Sequence, residues 1–361
     1  MMKASTLALA PLSWIYGAAT RMRLALYRRG LLAVHKVDVP VISVGNITAG
    51  GTGKTPFVAW LARAIAQDEN SSGGHHRVCI LSRGYGRAAP RTRVVVSDSA
   101  RILADAREGG DEPRLLAEML QGVASVVSDS NRFAAARWAI ENWGSTVFIL
   151  DDGFQHLSLA RDLNIVLVDA TDPWGGGRLL PDGRLREPLE GLARADCIII
   201  TRADQTNDPN ALATLRAEAK QLSGGQATIF TSRVHTHRAQ PLVSSAARPA
   251  SVEDILRKPM AAFCALGNPQ SFFAHLRSDG YAVNYTRAFP DHHSYTQSDV
   301  DTLVREAAAN KAQGLLTTAK DAVKLGALRF ALPCYVIEID LEVADEDRLL
   351  SIVRDTVRCK G

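Results

Sequence analysis

The stretch Thr48-Ala-Gly-Gly-Thr-Gly-Lys-Thr-Pro56 constrains this chain more than any other. It follows the apolar run 39–44 and opens the helix-like run 57–65. A strand, a glycine-rich turn and a helix in that order make a cradle for phosphate. The glycines let backbone N–H groups turn inward onto phosphate oxygens, and the helix N-terminus adds the positive end of its dipole. Lys54 is then within reach of β- and γ-phosphates, and Thr55 of a Mg²⁺ ion. The stretch predicts a nucleoside triphosphate site built from Gly50, Gly51, Thr52, Gly53, Lys54 and Thr55.

The loop departs from the pattern G-x-x-x-x-G-K-[ST] at its first glycine, where Thr48 stands. In this it resembles the variant loop of MinD/ParA-class ATPases, although Ala49 occupies the place of their signature lysine. Composition sets wide bounds. A chain of 361 residues, 46% hydrophobic, has material for a sizeable core in one large or two ordinary domains. The net charge of +4 argues little for nucleic acid. Five scattered cysteines (Cys79, Cys197, Cys264, Cys334 and Cys359), with no Cys-x-x-Cys pair, favour a reducing compartment without a disulfide framework or zinc site.

The N-terminus differs from the rest. Residues 4–20 carry no charge and are followed by Arg21, Arg23, Arg28 and Arg29 among Met22, Leu24, Leu26 and Tyr27. Four readings are open. A cleaved signal peptide would separate the phosphate loop from cytoplasmic ATP. A transmembrane helix is weakened by Pro11 and Gly17. The others are a helix of the soluble core and an interfacial helix. Apolar bulk beside an arginine cluster suits the last, lying in the headgroup layer.

Between 39 and 230 the chain alternates short apolar runs with helical patterns. Strands are expected at 41–44, 78–81, 92–96, 125–127, 146–150, 164–168 and 197–201, with helices such as 113–120 and 132–142 between them. Several runs are β-branched without alternation, as in a parallel sheet buried on both faces. The fold class is therefore α/β: a P-loop NTPase-like, doubly wound, mostly parallel sheet, with a second, smaller α/β domain and an N-terminal membrane-associated helix. The expected domains are the membrane-associated helix 1–30, the P-loop core 31–233, a linker 234–259 and the smaller unit 260–361. In that unit 260–266, 281–285, 314–318 and 334–339 read as strands, and 269–278, 297–310 and 344–357 as helices. The polar stretch 67–76, ending in His75 and His76, reads as a loop.

Ligands of such sheets sit at the carboxyl ends of strands. Asp151-Asp-Gly-Phe-Gln-His156 follows one strand directly, placing Asp151 and Asp152 where a hard cation bridging triphosphate oxygens needs carboxylates. Gln155 and His156 exceed what a turn there requires. Ser82-Arg-Gly-Tyr-Gly-Arg87 follows another strand, and Arg83 suits a bidentate grip on a substrate phosphate. Gly109-Gly-Asp-Glu-Pro113 opens a helix, so Asp111 reads both as a cap and as a carboxylate aimed into a cleft. Arg186 and Glu187, in Arg184-Leu-Arg-Glu-Pro188, suit the triphosphate and the metal shell, or a surface ion pair. Asp291-His-His293 offers a histidine beside acids that orients a base, or a solvated loop pair. Thr201-Arg-Ala-Asp204 resembles the guanine reader of GTPases only loosely and reads as a strand-end turn.

Together, Val44-Gly-Asn-Ile-Thr-Ala-Gly-Gly-Thr-Gly-Lys-Thr-Pro56, Leu81-Ser-Arg-Gly-Tyr-Gly-Arg87, Gly110-Asp-Glu-Pro113, Leu150-Asp-Asp-Gly-Phe-Gln-His156, Leu185-Arg-Glu-Pro188, Asp291-His292 and Thr317-Thr-Ala-Lys-Asp321 resemble the tetraacyldisaccharide 4′-kinase family of Gram-negative bacteria over nearly the whole chain. Ala319 departs from it where Glu is expected. The resemblance implies an ATP- and Mg²⁺-dependent kinase at the cytoplasmic face of the inner membrane, peripheral or monotopic. It would phosphorylate the 4′-hydroxyl of a tetraacylated glucosamine disaccharide 1-phosphate to give lipid IVA, with no nucleic acid or protein partner. Asp111, His292 and Lys54 are then the catalytic candidates, Asp111 as base with His292 beside it. Gly50–Thr55 and Arg186 bind nucleotide. Thr55, Asp151, Asp152 and Glu187 form the metal shell. Arg83, Gln155 and His156 meet the substrate. The alternatives are a membrane-associated ATPase switch, against which Ala49 counts, and a GTPase reading bases through residues 201–204.

Overall fold

The computed structural model describes residues 4–68, 75–206, 208–242, 245 and 251–360. Parts of the stretches read as the loop 67–76 (69–74) and the linker 234–259 (243–244 and 246–250) lie outside them. Among the described residues the strands are β1 (Val41–Asn46), β2 (Val78–Ser82), β3 (Val94–Ser97), β4 (Ala124–Ser128), β5 (Val147–Asp151), β6 (Leu163–Asp169), β7 (Cys197–Thr201), β8 (Thr228–Pro241), β9 (Met260–Cys264), β10 (Val283–Ala288), β11 (Gly314–Thr318) and β12 (Cys334–Val343). The α-helices are α1 (Ala4–Arg28), α2 (Lys54–Gln67), α3 (Ala106–Gly109), α4 (Asp111–Met119), α5 (Arg132–Trp143), α6 (Pro209–Leu222), α7 (Val252–Leu256), α8 (Pro269–Ser278), α9 (Gln297–Ala309), α10 (Ala319–Ala322) and α11 (Glu346–Arg358).

The strands form one sheet in the order β3-β4-β2-β5-β1-β6-β7-β8-β12-β11-β9-β10. Neighbours are parallel except β3 with β4 and β8 with β12. Alternate side chains of a strand point to opposite faces, and here both faces are covered. Ile80 and Ile149 pack with Phe57, Val58 and Leu61 of α2. Their neighbours Cys79, Leu81, Phe148 and Leu150 pack on the other side with Ala135, Ala136 and Ala139 of α5. Double burial is why these strands read as unbroken apolar runs. The far half repeats the scheme, with Phe263, Leu303 and Leu315 in one cluster and Met260, Leu276 and Leu316 in another.

Two features cut across the domain plan drawn from the sequence. Residues 234–241, expected to begin a linker, continue β8. Its first residues pair in parallel with β7, from Thr228 beside Cys197 to Thr231 beside Ile200. It then runs antiparallel to β12, from Ser232 opposite Val343 to Pro241 opposite Tyr335. Most side chains in this stretch are half-buried or exposed, so no apolar periodicity marks it. The second feature is α11. Leu349, Val353 and Val357 enter the same cluster as Phe57, Leu61 and Ile80, so the end of the chain returns to the first half.

The inner face of α1 docks on the segment after β6. Ser13 Oγ donates to Leu179 O at 3.0 Å, and Tyr16 Oη donates to Arg186 O at 2.7 Å. Gly17 sits so close that a β-carbon there would lie 2.7 Å from Leu179 Cδ1. The outer face leaves Trp14 81% exposed, together with Leu12, Ile15 and Met22. No helix among the described residues is long and apolar enough to cross a membrane.

Leu349→Ala tests the return of α11. Leu349 is fully buried, so truncation should cost about 2–5 kcal/mol in urea unfolding, as for a core leucine. A cost near zero would mean that α11 does not complete this core.

Candidate functional site

A cleft of about 1450 Å³ opens at the carboxyl edge of the sheet and is lined from both halves. The phosphate loop forms its floor. Gly50 (φ 118°) and Gly53 (φ 80°) adopt left-handed backbone that a side chain would strain. Gly51, Thr52 and Thr55 line the cleft beside them. Lys54, the first residue of α2, is buried with its ammonium 3.2 Å from Asn46 Oδ1 and 3.5 Å from Asp152 Oδ1. Thr201 Oγ1 donates to Thr52 O at 3.0 Å and Arg202 pairs with Asp169. Residues 201–204 thus serve as a strand-end turn bracing the loop. Ala49 donates its N–H to Arg184 O.

The adjacent acids at the end of β5 have opposite environments. Asp151 is 1% exposed and accepts from Ser82 Oγ at 3.0 Å. Burial, with the negative charges of Glu112 and Asp152, lifts its pKa well above the usual carboxylate range. Among the described residues no lysine or arginine lies within ion-pair distance of it. Asp152 has left-handed backbone (φ 53°), which turns it toward Lys54 and Arg186. Arg186 donates to both its oxygens at 2.8 and 2.7 Å. Burial alone would raise the Asp152 pKa, but the charges of Lys54 and Arg186 hold it far below its ordinary value.

Glu187 reaches the cleft with both oxygens engaged. Oε1 accepts from Gln155 Nε2 and Oε2 from Arg194, each at 2.7 Å. Gln155 also donates to Asn46 O at 2.9 Å, fastening this segment to the end of β1. His156 stands half-buried on the wall nearest α1, 3.5 Å from Arg132 and 3.1 Å from Ser158 Oγ. Its pKa is pushed down to about 3 by burial, then by Arg132, Arg161, Arg23 and Arg83. Arg83 is exposed on the same wall.

Asp111 is the first residue of α4. The N-cap position falls to Gly110, which has no side chain to offer a cap bond. The Asp111 carboxylate meets groups from the other half instead: His292 Nδ1 at 3.3 Å and Lys324 Nζ at 3.4 Å. Burial would raise its pKa, but the His292 hydrogen bond and the Lys324 charge outweigh it and bring the pKa below its ordinary value. Asp111 lies just behind the cleft wall, which its neighbour Glu112 and its partner His292 help to form.

The sequence-predicted residues therefore gather around one cleft. Several contributors had not been singled out. Lys320 bridges Glu112 at 3.2 Å and Asp291 at 3.3 Å, and its only signal was a place in the motif Thr317–Asp321. Lys324 carried no signal. Asn268 donates to Asp169 Oδ2 at 3.2 Å, and a β-carbon on Gly267 would lie 2.8 Å from Gly50 Cα. The turn after β9 thus rests on the phosphate loop.

A family model described as Tetraacyldisaccharide-1-P 4′-kinase, LpxK, matches residues 5–358. A tetraacyldisaccharide 4′-kinase of Anaeromyxobacter dehalogenans (strain 2CP-C) is 44% identical over 311 residues, 86% of this chain and 79% of the relative. That of Geobacter sulfurreducens is 40% identical over 333 residues, 92% of this chain and 88% of the relative. A crystal structure described as the "apo" form of LpxK from Aquifex aeolicus in complex with ATP matches with a TM-score of 0.73 and 30% identity. The match covers 99% of this chain and 100% of that one.

The environment of His156 makes acid stability a readout of this wall. Its folded pKa lies below the free value of 6.5, so the unfolded chain binds a proton first. Stability contributed by the neutral ring is complete above about pH 6.5 and is lost as pH falls toward 3. His156→Gln should flatten part of the decline in Tm between about pH 6.5 and 4. An unchanged slope would show that His156 does not sense the arginines.

Proposed function

The chain belongs to the tetraacyldisaccharide-1-P 4′-kinase family, and on that footing we propose that its cleft transfers the γ-phosphoryl group of ATP to the 4′-hydroxyl of a tetraacylated glucosamine disaccharide 1-phosphate, giving lipid IVA. The observation that carries the residue assignment is the meeting of Lys54, the Asp151–Asp152 pair and the Asp111–His292 pair around one cleft. ATP as the nucleotide is supported by the LpxK structure described with it.

The triphosphate lies along Gly50–Thr55, with Lys54 and Arg186 offsetting charge on its oxygens. Both cations now lean on Asp152 and exchange part of that contact for phosphate. The sugar oxygen attacks the γ-phosphorus in line while the bond to the β,γ-bridging oxygen breaks, leaving ADP. The hydroxyl proton passes to Asp111, which His292 orients. Arg83 and His156 hold the lipid headgroup, with Arg83 on its 1-phosphate. Gln155 acts through Glu187 and Asn46, shaping the wall the headgroup meets.

The donor set suits Mg²⁺. Asp151 is a buried carboxylate with, among the described residues, no lysine or arginine at ion-pair distance, and Thr55 lines the cleft. Among the described residues no three His, Cys, Asp or Glu side chains form a metal cluster. That fits an ion held by one or two carboxylates, a hydroxyl, phosphate and water rather than by an all-protein cage. Asp151 and Thr55 would hold it, with Asp152 joining them once Lys54 and Arg186 give up part of their contact with it. Glu187, with both oxygens already hydrogen-bonded, would back them from behind. When bound, the ion neutralises charge on the transferring phosphoryl group.

In this reading the first half is the nucleotide-binding unit and the second brings His292 and its neighbours. The outer face of α1, with Trp14 and Ile15, lies in the headgroup layer on the cytoplasmic side of the inner membrane and brings the cleft to a substrate that stays in the bilayer.

Purified chain with Mg-ATP and the lipid disaccharide phosphate should yield a bisphosphorylated lipid by mass spectrometry; its absence in detergent micelles would discard the kinase reading. Asp111→Asn should lower kcat about 10²- to 10⁴-fold while the Kd for ATP stays within about twofold. Parallel loss of nucleotide binding would make Asp111 structural. Replacing Trp14 and Ile15 by Glu should reduce sedimentation with anionic vesicles, and equal sedimentation would remove α1 from the membrane contact.

A further inference from the structure

Asp111 is an awkward place for a base unless something aims it. It sits behind the cleft wall, and the backbone ahead of it is pinned, since Gly110 has φ 100° and a β-carbon there would lie 3.0 Å from Gly84 Cα. What remains adjustable is the carboxylate, and two groups from the other half hold it. One is His292. The other is Lys324, just past α10, whose side chain is 10% exposed and whose ammonium nitrogen is sealed from solvent.

That ammonium is held from behind. It lies 3.9 Å from Asp321 Oδ1 and 5.7 Å from the ring centroid of Tyr295. Asp321 is fully buried and fixed in turn, accepting from Ala265 N, Thr318 Oγ1 and Tyr295 Oη. Lys320, one turn earlier, clasps Glu112, the next residue of α4. Two lysines from one end of the far half therefore grip two consecutive acids at the start of α4. Lys320 also holds Asp291, and Lys324 also lies near Asp321, so each lysine links α4 to its own half.

We infer that Lys324 is a positioning residue for phosphoryl transfer, holding the Asp111 carboxylate against His292 from an anchor formed by Asp321 and Tyr295. The inference rests on the proposed role of Asp111 as base. A buried ammonium held by a fixed carboxylate gives Asp111 a partner that cannot swing away. It also favours the ionised form able to accept a proton. The groups facing Asp111 are His292 from the loop after β10, Lys324 from the segment after α10 and Glu112 on its own helix. Asp291, 3.8 Å from His292 Nε2, is held off by Lys320. Arg114 turns away to Glu118. Of these, only Lys324 sets an ammonium against the carboxylate, at 3.4 Å.

The test compares Lys324→Met, Lys324→Arg, Asp111→Asn and the Lys324→Met, Asp111→Asn double variant in the full chain, with Mg-ATP and the lipid disaccharide phosphate. Without the ammonium, burial raises the Asp111 pKa, so the carboxylate ionises only at higher pH. Lys324→Met should lower kcat about 10- to 100-fold with KM for ATP within about twofold. It should also move the acid limb of kcat/KM up by about one pH unit. Lys324→Arg should recover most of the turnover, and the double variant should be no slower than Asp111→Asn alone. Two results would overturn the inference: turnover and acid limb unchanged in Lys324→Met, or a loss that follows a fallen Tm with the acid limb unmoved in both lysine variants. A wild-type chain that makes no phosphorylated lipid fails at an earlier step and removes the kinase reading itself.

Discussion

A buried ammonium must be matched by anions, and the match made for Lys54 organises the rest of the cleft. Asn46 and Asp152 hold it at the start of α2, and Asp152 is shared with Arg186. Removing Asp152 leaves the buried Lys54 ammonium without its carboxylate. The loop around Lys54 is therefore preorganised by its neighbours. Gln155 ties Glu187 to Asn46, and Glu187 is locked by Arg194. Asp151 is the exception: among the described residues no lysine or arginine lies within ion-pair distance of it, and its hydrogen bond comes from Ser82.

The far half contributes more than a lid over this arrangement. Gly267 rests on Gly50, Asn268 reaches Asp169, and Lys320, Lys324 and His292 all meet the start of α4. Hydrogen bonds and ion pairs dominate these contacts, while the apolar clusters join through α11 and the end of β12, where Val343 enters the cluster of Phe57 and Ile80. Polar junctions of this kind hold a geometry at the cleft without filling it with apolar side chains, which suits a cleft that must admit a nucleotide and a lipid headgroup.

How much of this was legible depended on which physical signal a residue carries. The unbroken apolar runs of β1, β2, β5 and β7 announced a sheet buried on both faces, and Gly53-Lys54-Thr55 announced a phosphate loop. Asp151 and Asp152 were found because strand ends are where ligands sit, but their opposite environments depend on Lys54, Glu112 and Arg186, brought together only by folding. The second half of β8 was missed because its side chains are mostly half-exposed and its partner β12 lies about a hundred residues later. Glu187 read from its neighbours in sequence as a metal-shell residue or an ion-pair partner, and its hydrogen bonds to Gln155 and Arg194 arise only on folding. Lys324 could not be seen at all, since nothing local separates it from a surface lysine.

The position of α11 has a consequence for how the chain is made. Leu349, Val353 and Val357 cover the same apolar cluster as Phe57 and Leu61. During synthesis the phosphate loop and its helix leave the ribosome nearly three hundred residues before the segment that seals their core. Domains that are contiguous in sequence can fold as they emerge, N-terminal part first. Here the nucleotide-binding half must wait for its own last layer, with an unfinished apolar face in the meantime, so nascent chains halted before α11 are the ones that most need a chaperone.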